Sequence, residues 1–326
     1  MISRRDALAG LLALGAANWA LLARAQQPAR LAWIGSGTPA GSVEALTAFR
    51  ESMKANALAE GKDYVLDLFW SGGDYTRFPT LVQEALTRKP SIILVATIAS
   101  VRAAQLATKT IPILMLGTND PVGSGLVASL ARPGGNTTGL ATMGNDRAPK
   151  LAQFVREFLP KARYIAVLVN PLNPSNGPIF ESIRNAATSL GMSTVAVEAN
   201  SPERIDDAFK ALSTKRPDAL VTGFDFIFSD QRGRIAQLGL KNKIPIFAGS
   251  VASADAGALI GFGPPANELP RRAAMYVKRI LAGAKPADLP IEQPTKVELV
   301  LNLKTASALG IRIPQALVER ADRVIE

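Results

Sequence analysis

The 326-residue chain contains no cysteine and no histidine. Without cysteine there is no disulfide, no thiolate nucleophile and no residue to carry a lipid anchor behind an export signal. Without histidine there is no Ser-His-Asp triad, no imidazole base and no ordinary zinc site. Carboxylate, lysine or tyrosine chemistry stays open, so these absences disfavour an enzyme without excluding one. Aromatic residues make up only 6% of the chain, and although its formal charge is +10 it has no run of five basic residues. Scattered basic residues with few aromatics describe a solvated basic surface, not a nucleic-acid-binding face. That surface still favours an anionic ligand or the anionic membrane surface.

What is present begins with a leader. Arg4 and Arg5 form a positive segment, Ala7 to Leu22 is apolar apart from Asn18, and Ala23-Arg24-Ala25 has the small-x-small form of a cleavage site. The apolar stretch is shorter than the ~20 residues a membrane span needs, so residues 1–25 read as an export signal cleaved after Ala25. Ser3-Arg4-Arg5 with Leu8 is a partial twin-arginine pattern whose aromatic position holds Ala7, which leaves both export routes open. Loss of Arg4, Arg5, Arg24 and Asp6 takes 37 basic and 27 acidic residues to 34 and 26, a net +8.

The remainder is long enough for two domains, and about half of the whole chain is apolar. Strand-like runs alternate with helical patterns throughout, which predicts parallel α/β architecture. Strands are expected at 30–35, 64–70, 92–96, 111–116, 164–169, 192–198, 218–222, 245–248, 258–262 and 297–301. The helices between them include 43–59, 75–88, 99–108, 148–158, 177–190, 202–214, 229–240 and 268–281. A short helix is expected near Gly123. The two halves share this rhythm without a sequence repeat. Two such lobes side by side leave a cleft, a favoured place for a ligand.

In a parallel sheet, ligands bind at loops following the carboxyl ends of strands. Gly35-Ser36-Gly37-Thr38-Pro39-Ala40-Gly41 follows the first strand and opens a helix. It resembles a dinucleotide fingerprint, but the next strand ends in Phe69-Trp70-Ser71 and not in the required acidic residue, so Ser36 and Gly37 are candidates for a smaller group. Thr97, Ala99 and Ser100 begin a helix whose amides suit a carboxylate, although Thr97 equally suits a helix cap. Thr118, Asn119 and Asp120 end the 111–116 run; from their chemistry alone, ligand contact and helix capping stand level. Asn170 lies in the rigid Asn170-Pro171-Leu172-Asn173-Pro174 loop. In Phe224-Asp225-Phe226-Ile227-Phe228, Asp225 suits a ligand amine and Phe226 a flat or apolar group. Phe224 and Phe228 read more readily as core. Ser250, after the 245–248 strand, completes the candidates. No catalytic residue, metal ligand or cofactor is assigned.

Four strings carry a resemblance: IPILMLGTNDPVGSGLVASLARPGGNTTGL (111–140), YIAVLVNPLNP (164–174), the run from Gly263 to Pro314 beginning GPPANELPRRAAMYVKRILAGAKPADLP, and RADRVIE (320–326). Through nearly all of residues 28–326 the chain resembles TrpX-like substrate-binding proteins of ABC transporters, which have the type I periplasmic-binding-protein fold. It departs from their usual pattern in lacking Gly-Tyr before Glu60-Gly61-Lys62, and in the loop after Asp225. The resemblance implies two Rossmann-like lobes, 28–142 with 263–290 and 143–262 with 291–326, crossing near residues 142, 263 and 291. It also implies a periplasmic, non-enzymatic monomer that captures a small polar molecule, such as an amino acid or related organic acid. The protein would then meet the inner membrane only through an ABC permease and its ATPase. Asp120 would lie at the cleft mouth. An exported cofactor-binding α/β enzyme and a periplasmic sensory partner remain alternatives.

Overall fold

A computed structural model describes residues 27–265, 267–294 and 296–326. The export signal expected at residues 1–25 lies outside the described residues. The first sheet has the order β2 (Tyr64–Trp70), β1 (Ala29–Gly35), β3 (Ile92–Val95), β4 (Ile113–Asn119), β5 (Thr137–Thr142), all parallel. In β3, Ile92-Ile93-Leu94-Val95 is buried throughout, the pattern of a strand covered on both faces. Ile93 and Val95 enter the core under α2 (Phe78–Thr87) and α3 (Ile98–Ala107), while Ile92 and Leu94 enter that under α1 (Val43–Ala55).

The second sheet runs β12 (Arg323–Ile325), β11 (Glu298–Asn302), β10 (Ile260–Gly263), β9 (Ile246–Ala248), β8 (Ala219–Thr222), β6 (Tyr164–Val169), β7 (Ser193–Glu198). Only the β10–β11 pair is antiparallel. Ile165, Val167 and Val169 face one core and Ala166 and Leu168 the other. The covering helices include α4 (Gly144–Phe158), α5 (Asn176–Ser189), α6 (Pro202–Lys215) and α8 (Arg232–Lys241).

The chain passes between the two lobes three times. After β5 it enters α4, which packs on α5 and the second sheet; after β10 it enters α10 (Glu268–Leu281), which packs on α1 and the first sheet. It then returns to β11, and on the way Glu292 accepts from the Ala141 amide and donates its own amide to Gly139. At the first passage the Asn119 side chain receives the Gly144 amide at 2.9 Å and donates to Asn145 at 3.1 Å. A Cβ on Gly144 would fall 2.5 Å from Asn119 Oδ1, so a larger residue here would have to displace the Asn119 side chain or α4. Pro149 stands inside α4. The carbonyl of Asn145, four residues earlier, accepts instead from the Ser182 hydroxyl at 3.0 Å, which offsets the backbone bond proline cannot make.

Several expectations are corrected. No helix follows Asp120: residues 121–127 form successive turns, and Gly125 at φ +70° takes the chain out of the helical region. The 229–240 helix is instead two, α7 (Phe226–Asp230) and α8, and α9 (Val251–Asp255) and β12 are additional elements. The first long helix ends at Ala55, because Ala57 adopts φ +62°.

Candidate ligand-binding cleft

Two adjoining cavities, of about 160 and 260 Å³, lie between the lobes. They share lining from both sides: Ala96, Gly117 and Thr142 from the first lobe, Phe226, Arg232 and Ser250 from the second. Gly117 lies in a bulge of β4, where the pairing with β5 shifts between Leu116 and Thr118, and it adopts φ +127°. A bulge near a strand end re-aims the side chains beyond it. Here it brings Asn119 to the first cavity.

The first cavity holds Arg147, which α4 carries in its opening turns. Its guanidinium is buried, yet neither Nε nor Nη1 has a hydrogen-bond partner. The group rests 4.6 Å from the centre of the Phe224 ring. Phe224 in turn lies over Gly249, where a Cβ would come within 2.3 Å of the ring. Desolvation lowers the Arg147 pKa to about 10, so the side chain stays cationic at neutral pH. A ring face is a partial substitute for an anion, worth about 0.5–2 kcal/mol.

Asp225 lines the same cavity and is 7% exposed. It caps α7 by accepting the Ile227 amide on Oδ1 at 2.9 Å. Oδ2 accepts from Asn173 at 2.7 Å, Tyr75 at 3.1 Å and Asn170 at 3.2 Å. Burial pushes this carboxyl above its usual range, and the four donors only partly oppose the shift. Tyr75 belongs to the first lobe, so its bond to Asp225 crosses the cleft. Desolvation and the Asp225 charge drive the Tyr75 hydroxyl well above its ordinary pKa, with the nearby Ser36 hydroxyl pulling the other way.

The far end of α7 makes a second bridge. Asp230 Oδ2 accepts the Thr38 amide at 2.7 Å and the Thr38 hydroxyl at 3.0 Å. Gly37 and Gly41 allow this approach, since a Cβ on either would meet the Asp230 carboxylate. Burial raises the Asp230 carboxyl pKa against these two bonds. The lobes are therefore closed on each other through both ends of one five-residue helix, whose Phe226 lies in the cleft between them.

Of the residues singled out in the sequence, Thr97, Asn119 and Asp225 line the first cavity, Ser36 and Gly37 the second, and Phe226 and Ser250 both. Ala99, Ser100, Thr118, Asp120 and Asn170 stand outside the lining. Ser100 and Thr97 cap α3 reciprocally, Thr118 donates to the Ala96 carbonyl, and Asn170 positions Asp225. Asp120 is exposed at φ +40°, and its Oδ1 accepts the Gly123 amide at 2.9 Å. Its place is the turn. Arg147 and Arg232 lacked any sequence signal, because an arginine in a helix looks like surface until its helix is placed. Phe224 belongs to the lining as well as packing against the core. Among the described residues no group of three acidic, histidine or cysteine side chains could hold a metal.

The model of a family described as ABC transporter substrate binding protein matches residues 40–325. The chain belongs to this family. It is 26% identical over 264 residues to a tyrosine-binding protein of Clostridioides difficile, covering 81% of this chain and 76% of that protein. Among solved structures, an ABC domain from Streptococcus pneumonia in complex with L-Trp has a TM-score of 0.83 at 21% identity, covering 91% of this chain and all of that one. A conserved domain protein from Vibrio cholerae has a TM-score of 0.84 at 25% identity, covering 91% and 99%. The ligand-free, open structure of a Clostridium difficile substrate-binding protein with adhesive properties has a TM-score of 0.62 at 23% identity, covering 91% and 99%. The fold is thus that of type I periplasmic-binding-protein-like solute-binding proteins. The matched family is one of substrate-binding proteins rather than enzymes. No helix among the described residues of this binding protein is long and apolar enough to cross a membrane.

Proposed function

We propose that this substrate-binding protein captures an α-amino acid with a bulky apolar side chain, working outside the inner membrane and delivering its ligand to an ABC permease. The observation that carries the reading is the pairing of Arg147 and Asp225. Both line one cavity, both are buried, and neither has an opposite charge beside it. Buried charges are costly unless paired. A zwitterion answers both, with its carboxylate on Arg147 and its ammonium on the remaining capacity of Asp225 Oδ1. Phe224, Phe226, Phe228, Ile235 and Ile246 give the surroundings for an apolar side chain. The tyrosine- and tryptophan-binding relatives are in keeping with this ligand class.

Calorimetric titration with L-tryptophan and L-tyrosine tests the reading, beside tryptamine, which lacks the carboxylate, and indole-3-propionate, which lacks the ammonium. The amino acids should bind and each truncated analogue should lose at least tenfold, since each charge-assisted bond is worth about 1.5–3 kcal/mol. Equal binding of indole-3-propionate would remove Asp225 from ligand recognition. No binding of either amino acid would sink the proposal.

A further inference from the structure

Basic residues that are scattered along the sequence are gathered by the fold at one end of the second lobe. β6, β8 and β9 lie side by side and parallel, so their starts share that end. The chain entering each strand brings a basic pair: Lys161 and Arg163 before β6, Lys215 and Arg216 before β8, Lys241 and Lys243 before β9. These segments are tied together, the Asp218 amide donating to the Tyr164 carbonyl at 2.8 Å and the Leu220 amide to the Pro245 carbonyl at 3.0 Å. Neighbouring strands stand about 4.8 Å apart, so all six cations can reach one flat surface. All six are exposed. The ion pairs of α6 and α8, Lys210 with Asp207 and Arg234 with Asp206, lie further back along those helices and leave the six alone. The single acid in these segments, Asp218, holds the Arg163 and Tyr164 amides on Oδ2 at 2.7 and 2.9 Å.

A cation at a helix C-terminus is ordinarily explained by the helix dipole, and Lys215 and Lys241, which end α6 and α8, fit that account. The other four stand beyond the helices. Arg216 and Lys243 occupy turns at φ +45° and +54°, where the chain uses glycine in the matching places, Gly191 before β7 and Gly257 before β10. Backbone preference therefore does not account for a base at either turn. The equivalent end of the first lobe keeps acids among its bases: Arg30 and Arg88 share Asp67, and Arg50 pairs with Glu60. We propose that the basic end of the second lobe rests on the anionic face of a phospholipid bilayer, held by charge and without insertion. Each Lys or Arg within a Debye length of anionic lipid adds to such adsorption, and salt screens the sum. Leu240 is the one large apolar side chain exposed beside the six among the described residues, too little for an anchor. The cleft lies at the other end of the same strands, where Thr222 and Ala248 line the first cavity, so a protein adsorbed in this way still takes up its ligand. This goes beyond the amino-acid reading and does not rest on it.

The test is co-sedimentation with vesicles, using protein recovered after export so that Arg4 and Arg5 take no part. Vesicles of equal parts phosphatidylglycerol and phosphatidylcholine are compared with vesicles of phosphatidylcholine alone. The wild type should bind the anionic vesicles at about 0.02 M salt, leave them at about 0.5 M, and ignore the neutral ones. One variant carries Lys161→Gln, Arg163→Gln, Lys241→Gln and Lys243→Gln. A second removes the same charge from exposed positions of the first lobe, with Lys54→Gln, Lys62→Gln, Lys89→Gln and Lys109→Gln. The first variant should lose at least about tenfold in partition onto anionic vesicles and the second less than about threefold. Both should keep the thermal midpoint and the amino-acid affinity of the wild type, because the substituted side chains lie away from the cleft. Equal losses in the two variants would reduce the effect to net charge and overturn the basic end as a contact surface. Wild-type binding that is absent on anionic vesicles, or as strong on neutral ones, would overturn the proposal outright. Either result leaves the cleft and its amino-acid reading untouched, since that reading is judged by titration alone.

Discussion

Arg147 sets function against stability at a single residue. Burial holds its pKa down at about 10, a cost that the Phe224 ring face offsets only in part. Replacement by methionine, similar in length and uncharged, should therefore raise the midpoint of thermal unfolding of ligand-free protein while cutting amino-acid affinity by tenfold or more. A lowered midpoint together with retained affinity would return Arg147 to a packing role. Asp225 makes a different prediction. Its carboxyl is raised by burial, and an ammonium beside it would favour the ionised form. The free protein then holds the proton more tightly than the complex does. Affinity should be full above the raised pKa and fall as the pH drops through it, with proton release on binding, detectable by calorimetry in buffers of different ionisation enthalpy. Affinity flat through the acidic range would contradict this. Legibility differs between these residues for a physical reason. Asp225 sits in a strand-end loop between phenylalanines, where a carboxylate has no solvent reason to be. Asp120 has the same loop position, but positive φ and the Gly123 amide turn its carboxylate back on its own chain.

Among the elements, strands and long helices were readable because period and caps agree. β3 is an unbroken apolar run, α3 begins at a capping Thr97, and α6 begins with Ser201 followed by Pro202. The short α7 was not readable. Five residues carry no period, and Asp225 resembles any strand-end polar residue until Tyr75 is brought up to it from 150 positions away. Yet α7 joins the lobes, with Asp225 on Tyr75 at one end and Asp230 on Thr38 at the other. Tyr75→Phe keeps the ring on Phe78, 5.2 Å away between centres, and removes only the bridging hydroxyl. It should weaken the closed state by about 1 kcal/mol, roughly fivefold in ligand affinity, through faster dissociation. Stopped-flow dissociation measures this. An unchanged off-rate would show that the Asn170 and Asn173 bonds alone hold Asp225 in its working position.

For the whole molecule, closure depends on how the chain passes between lobes as much as on the cleft. Asn119 stands at both places: it lines the first cavity, and its Oδ1 holds the Gly144 amide where β5 hands over to α4. The same helix carries Arg147 three residues further on. A shift at this handover thus moves the guanidinium relative to the first lobe, whereas a shift at the rim does not. Gly144→Ala puts a methyl 2.5 Å from Asn119 Oδ1, a contact that only a displacement of α4 or loss of the Asn119 bond relieves. Toward the second-lobe core the added methyl would stand 3.5 Å from Ile179 Cδ1, an ordinary contact, so unfolding of each lobe should be little changed. The ligand-bound state, which needs both lobes in register on one small molecule, should suffer. Small-angle scattering of the wild type should show compaction when ligand is added, because a ligand that bridges the lobes stabilises the closed form by its differential affinity. In Gly144→Ala that compaction should need ligand concentrations at least tenfold higher, at a thermal midpoint close to wild type. Compaction at wild-type concentrations would mean that the closing motion pivots elsewhere, at Glu292 or after Gly263, and that α4 travels as a rigid part of the second lobe.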